Sequence, residues 1–234
     1  NGKGGVGKSF LAVNLVQYLK DKSIPFVACD SDNENSTLKR FHPDAEFINL
    51  AQARSLDDMF RALERADLVI VDCRAASTDV FLRYFAAIDI AAVLRALDAR
   101  LTLLMPVNHE ADSLDQVQRV VEAMADHARF VIIRNQVHAE SFALYDQSQV
   151  RVRLMKKLEA KEITMPRMEE WLVEGLNRGN LTITAAARHE SCYLLDRQRL
   201  VTWQRRLYEQ IESATDLLLP NRPTTKPAHA SAAK

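Results

Sequence analysis

The sequence predicts an α/β fold, a mostly parallel sheet covered by helices on both faces. Three observations predict it. Short, near-continuous apolar runs alternate with segments of helical period. Two of those runs end in an acid, Asp30 and Asp72, and a third ends in an amide, Asn135. A glycine-rich stretch, "NGKGGVGKSF", leads directly into the first helical pattern. Right-handed crossovers put the strand C-termini of such a sheet on one edge, where ligands bind.

The elements follow in order. "FLAVNLVQYLK" (10–20) has apolar residues at helical spacing. "PFVACD" (25–30) is a short buried strand. "SLDDMFRALERA" (55–66) is a helix with Leu56, Met59, Phe60 and Leu63 on one face. "DLVIVD" (67–72) is the second strand, and "VFLRYFAAIDIAAVLRAL" (80–97) is helical with a break near Asp89. "LTLLMPV" (101–107) is a third strand, "DSLDQVQRVVEAMADHA" (112–128) a helix and "RFVIIRN" (129–135) a fourth strand. "EITMP" (162–166) is a short fifth strand, and helices continue to about Leu219. No strand precedes the glycine stretch and the chain does not begin with Met, so the first strand of the sheet is expected to be missing through a cut N-terminus. A single domain is expected over 1–219, followed by a disordered Pro-, Ala- and Lys-rich tail at 220–234.

Composition narrows the function classes. The chain has 234 residues, 47% apolar and 26% charged, with 31 basic and 31 acidic side chains. That balance gives no global attraction to nucleic acid or anionic membrane. Cys29, Cys73 and Cys192 have no metal-ligand spacing, which fits a reduced cytoplasm. No apolar run is long enough to span a bilayer. "RVRLMKKLEAK" (151–161) is the only basic cluster. It reads mainly as a solvated helix face, with DNA or lipid contact the minority reading. Leu200, Trp203, Leu207, Ile211, Ala214 and Leu218 form an apolar stripe flanked by Arg197, Arg199, Arg205 and Arg206. A terminal helix packed on its own sheet is favoured there over a membrane-surface or partner-binding helix.

The opening stretch carries the chemistry. Gly2-Lys3-Gly4-Gly5-Val6-Gly7-Lys8-Ser9 fits G-x-x-x-x-G-K-[ST], the loop of phosphate-loop NTPases. Glycines permit the positive φ that turns successive N–H groups toward one anion. The helix that follows adds its N-terminal partial charge. Lys8 supplies a point charge at the β and γ phosphates, and Ser9 a hydroxyl ligand for Mg²⁺. Lys3 is not required by such a loop and, taken alone, reads as a solvated lysine. Asp30 and Asp32 sit two apart, on one side of an extended segment, which suits a metal-and-water site. Asp72, behind four apolar residues and downstream of a phosphate loop, reads as the acid that holds Mg²⁺ through water.

The string "KGGVGKS" resembles the deviant phosphate loop of the ParA/MinD family of ATPases. The resemblance implies Mg²⁺-dependent ATP binding and slow hydrolysis by a face-to-face homodimer, with Lys3 reaching the partner's nucleotide. It implies a nucleotide site of Gly4, Gly5, Val6, Gly7, Lys8, Ser9 and Phe10. Asp32 would orient the attacking water, with Lys3 and Lys8 as the catalytic cations. Ser9, Asp30 and Asp72 form the Mg²⁺ shell, and Asn35 and Thr37 the switch loop that follows. Asn135 would meet the adenine edge and Pro166, in "MPRM", would close the base pocket; Asn135 also reads as an ordinary strand-ending turn residue. No N-K-x-D run of the guanine type is present, which favours ATP. The family follows its second acid with a Gly- or Pro-containing switch, whereas here the run is "CRAAST", where Arg74 reads as a surface charge or as a contact to phosphate or partner. "DSDNENSTL", "MPRM" and the C-terminal helix are similar to the TraL nucleotide-binding proteins of conjugative plasmids, from Gly2 to about Leu219. That similarity implies an ATPase assisting DNA transfer or plasmid maintenance with a protein partner of a conjugation or partition system. A small-molecule kinase on a related fold and a nucleotide-binding adaptor that does not hydrolyse remain the alternatives.

Overall fold

The computed structural model describes residues 5–137 and 139–220. They cluster into two compact units, one built on 9–74 and one holding 5–8 with 75–218.

In the first unit, α1 (Lys8–Asp21) is buried without a break from Leu11 to Leu19, so it is covered round its circumference. Its two buried polar residues are satisfied locally: Asn14 Nδ2 donates to the Phe10 carbonyl at 2.8 Å and Gln17 Nε2 to Asp21 at 2.7 Å. The chain continues through β1 (Val27–Asp30), α2 (Thr37–Phe41), β2 (Glu46–Phe47), α3 (Ala53–Arg61) and β3 (Val69–Asp72). The strands pair in parallel in the order β2-β1-β3. Register puts Cys29 beside Val71 and Asp30 beside Asp72. Ala12, Val13 and Val16 of α1 pack with Ala28, Leu38 and Ala45 to form the core, and Phe26, Phe41 and Ile70 close over it.

The second unit begins with α4 (Thr78–Ala87) and α5 (Ile90–Ala96). They are separated at the predicted break. Asp89 adopts φ 47° and caps α5 by accepting the Ala92 N–H at 3.2 Å. Then come β4 (Leu101–Val107), α6 (Ala111–Met124), β5 (Ala128–Asn135), α7 (Ala143–Asp146), α8 (Gln149–Lys157), β6 (Lys161–Met165), α9 (Glu170–Gly179), α10 (Ile183–Arg188), α11 (Leu194–Glu212) and α12 (Thr215–Leu218). The sheet is parallel in the order β4-β5-β6. Phe130, Val131, Ile132 and Ile133 are each fully buried, so central β5 is covered on both faces. On β6 an edge N–H is covered: Thr164 N–H donates to Gln210 of α11 at 2.9 Å.

The structure departs from the sequence reading in three places. Val69, Ile70 and Val71 of β3 and Leu101–Leu104 of β4 are only half-buried, because among the described residues each strand ends its sheet with one strand partner. A two-residue strand, β2, lies where no strand was expected. The polar run after β1 stops at Ser36, and Thr37 opens α2 instead of extending the loop. The six-residue apolar stripe is buried throughout, from Leu200 to Leu218. Arg153, Lys156 and Lys157 of α8 are exposed, as a solvated face requires. The expected tail lies, from residue 221, outside the described residues. No helix among the described residues is long and apolar enough to cross a membrane.

Candidate functional site

Two constellations, one in each unit, hold the residues the sequence singled out. In the second unit the glycine loop lies against the C-terminal ends of β5 and β6. Gly5 has φ 76° and Gly7 φ 90°, the left-handed region open to glycine. Between them Val6 is buried, and α1 begins at Lys8. A Cβ on Gly7 would meet Asn135 Nδ2 at 2.5 Å and the Met165 methyl at 3.0 Å. Gly7 is therefore glycine for two reasons, backbone angle and space. Gly2, Lys3 and Gly4 lie outside the described residues.

Asn135 is fully buried at the end of β5, and its side chain does structural work. Nδ2 donates to the Val6 carbonyl at 2.9 Å, and Oδ1 accepts the Val137 N–H at 2.9 Å. The first bond pins the glycine loop to the strand end. The second turns the chain after the strand, which is the turn role anticipated for this residue. Asn135 is in register with Met165, and Pro166 follows. The Pro166 carbonyl accepts the Trp203 indole N–H at 2.9 Å, so α11 holds this segment in place.

In the first unit the acids stand side by side at the ends of β1 and β3. Asp30 is fully buried; Oδ1 accepts the Asp32 N–H at 2.9 Å and Oδ2 the Lys39 N–H at 3.0 Å. Its carboxylate thereby sets both the turn after β1 and the first turn of α2. Asp32 is half-buried and organises the turn beyond. Its Oδ1 accepts the N–H groups of Glu34 at 3.0 Å and Asn35 at 3.1 Å, and Oδ2 accepts Asn35 Nδ2 at 3.3 Å. Burial alone would raise its pKa, but the bonds from Asn35 and Glu34 and the charge of Arg74 outweigh it. The net shift is downward, so the group is a carboxylate at neutral pH. Asp72 is buried, and its backbone carbonyl accepts both the N–H and the hydroxyl of Ser31, at 3.0 and 2.9 Å. Ser31 in turn accepts the Arg74 N–H at 3.0 Å.

Ser31 is the residue that sequence reasoning passed over. A serine between two acids has no distinctive signal, and its role depends on a strand neighbour 41 positions away. Arg74, expected at the surface or on a phosphate or partner, is half-buried and donates to Asn33 Oδ1 at 3.4 Å.

The glycine loop of the second unit has the chemistry of an anion site, and the paired acids of the first unit that of a site for a hydrated cation. A glycine loop with positive φ feeding a helix start is an anion cradle. No group of three or more His, Cys, Asp or Glu among the described residues could hold a metal by itself. Mg²⁺ needs no such cage, because it keeps waters and takes one or two protein oxygens together with substrate phosphates.

Comparison with known proteins bears on this arrangement. Residues 1–190 match the model of the CobQ/CobB/MinD/ParA nucleotide binding domain. The chain is similar to protein MobD of Acidithiobacillus ferrooxidans, 23% identical over 90% of this chain and 93% of that protein. It is also similar to protein TraL of Escherichia coli, 27% identical over 92% of this chain and 96% of that one. Among solved structures it resembles the MinD cell division protein of Aquifex aeolicus, at TM-score 0.47 and 17% identity, over 89% of this chain and 94% of that one.

Proposed function

Because the chain belongs to the CobQ/CobB/MinD/ParA nucleotide-binding domain family, we propose that it is an ATP-driven dimer switch: it binds ATP with Mg²⁺, pairs with a second copy and resets by slow hydrolysis. The observation that carries the reading is the pairing of Asp30 with Asp72 at adjacent strand ends, with Asp32 held as a carboxylate just beyond. When bound, Mg²⁺ would supply Lewis-acid stabilisation of the charge on the phosphates. The loop Gly4-Gly5-Val6-Gly7 would cradle the phosphates, and Phe10 and Pro166 are carried over from the family resemblance as nucleotide-binding residues. Lys8 neutralises the β and γ phosphates, and Ser9 gives a hydroxyl to the metal. Asp72 and Asp30 would hold the metal through its waters. Asp32 accepts a hydrogen bond from the attacking water and orients it toward the γ phosphate. Asn135 would hydrogen-bond the adenine edge. Lys3 enters the partner's site and offsets charge that builds during transfer.

The resemblance of "DSDNENSTL", "MPRM" and the C-terminal helix to the TraL nucleotide-binding proteins of conjugative plasmids extends the proposal to a role beside conjugative DNA transfer or plasmid maintenance; a single domain over 1–219 and a cytoplasmic setting are part of the same proposal. Cys29, Cys73 and Cys192, an odd number without metal-ligand spacing, suit that reducing setting.

The test is phosphate release from MgATP by the full chain, with no acceptor added. Wild type is expected to turn over slowly. Asp32→Ala is expected to lose about 10²-fold or more in rate while keeping nucleotide affinity within about threefold. Turnover only in the presence of a small-molecule acceptor would establish the kinase reading instead. A second reading, an adaptor that holds nucleotide without hydrolysing it, is favoured by one observation. Ala76 takes φ 58° in a loop that lacks glycine, a costly conformation in a segment that a working switch must move. Wild-type turnover abolished by Asp32→Ala excludes it.

A further inference from the structure

We propose that Arg74 is a positioning residue that latches the loop after β3 to the Asp32 turn after β1, so that the two loops hold one arrangement together. The inference rests on the hydrolytic reading only for its kinetic consequence. The latch itself stands on hydrogen bonds within the first unit.

Its base is Ser31. The buried hydroxyl uses both of its capacities: it donates to the Asp72 carbonyl at 2.9 Å and accepts the Arg74 N–H at 3.0 Å. The Ser31 N–H adds a further bond to the same carbonyl at 3.0 Å. The Arg74 backbone therefore leaves β3 from a fixed point. Its side chain is delivered to the neighbouring turn, where Nη1 donates to Asn33 Oδ1 at 3.4 Å. A long side chain whose backbone is already fixed loses less freedom when it makes such a bond.

The far side of the latch is the Asp32 turn. Asn33 lies between Asp32 and the two N–H groups that Asp32 accepts, those of Glu34 and Asn35. Residues 33–35 are exposed, and among the described residues Asn35 is held by Asp32 within the turn while Asn33 accepts the Arg74 bond from outside it. A cationic bond from across the sheet end therefore limits where Asp32 can point. The family resemblance leads one to expect glycine or proline in the loop that carries Arg74. This chain has instead an arginine that reaches the other loop.

The experiment uses the full chain, with residue-resolved amide exchange and single-turnover hydrolysis as readouts. Arg74→Ala is expected to speed exchange of the Glu34 and Asn35 amides by about fivefold or more, leaving β5 amides unchanged. It is also expected to slow the hydrolytic step about tenfold with nucleotide Kd within twofold, the signature of lost positioning and not of lost binding. Arg74→Lys, which can still donate to Asn33, should recover most of both effects. Should Arg74→Ala fail to fold, Asn33→Ala removes the other end of the same bond at an exposed site and carries the same expectations. Unchanged exchange at Glu34 and Asn35 in a folded variant overturns the latch. A wild type that releases no phosphate sinks the hydrolytic reading, and the exchange measurement then still decides the latch.

Discussion

A methyl group on Gly7 would press on the Asn135 amide at 2.5 Å, whereas one on Gly5 would meet nothing within 4 Å among the described residues. Both glycines have positive φ, so alanine at either costs about 1 kcal/mol of backbone strain. Only Gly7→Ala also forces Asn135 off the Val6 carbonyl, stranding a buried amide at about 1–3 kcal/mol more. Gly7→Ala is therefore expected to unfold at clearly lower denaturant than Gly5→Ala, and to bind a fluorescent ATP analogue at least about tenfold more weakly than wild type. Equal losses at the two positions would mean that the approach of Asn135 is not what keeps residue 7 glycine. Sequence marked the need for both glycines but could not separate them. The difference comes from a contact spanning 129 positions, and no local pattern encodes such a contact. Ser31 was opaque for the same reason, while Asp30 and Asp72 were legible because each closes an apolar run.

Periodicity worked best for long elements. The stripe on the last helices was readable because its residues recur over five turns, and all six are buried. The five-residue α2 and the two-residue β2 are too short to carry any period. In α11 the stripe has two separable jobs. Leu207 is fully buried and contributes packing alone, while Trp203 also donates its indole N–H to Pro166. Leu207→Ala is expected to lower unfolding free energy by about 2–5 kcal/mol. Trp203→Phe retains most of the buried ring and loses one hydrogen bond, so about 1 kcal/mol is expected. Urea denaturation of both variants measures the ordering. If Trp203→Phe proved as damaging as Leu207→Ala, the indole bond would matter far more to this segment than an ordinary hydrogen bond does.

At the scale of the whole molecule, the parallel α/β architecture was legible because alternating strands and helices leave few other solutions. Assembly is a different matter. The chain is electrically balanced, with 31 charges of each sign, so no global field drives two copies together. In the proposed ATP-dependent homodimer, the part of the association energy that depends on ATP comes from the bound nucleotide and from residues that touch it across the contact. Lys3 is the candidate that the string "KGGVGKS" supplies. Sedimentation of the full chain is expected to show monomer without nucleotide and dimer with MgATP. Lys3→Ala should bind ATP yet remain monomeric, the result the proposal requires if this cation acts on the partner's phosphates. Asp32→Ala should accumulate as dimer, since nucleotide enters but the reset step is blocked. The two variants thus move the same equilibrium in opposite directions, which a general loss of folding cannot imitate. A Lys3→Ala chain that dimerises and hydrolyses like wild type would remove Lys3 from the site and, with it, the reason for a face-to-face pair.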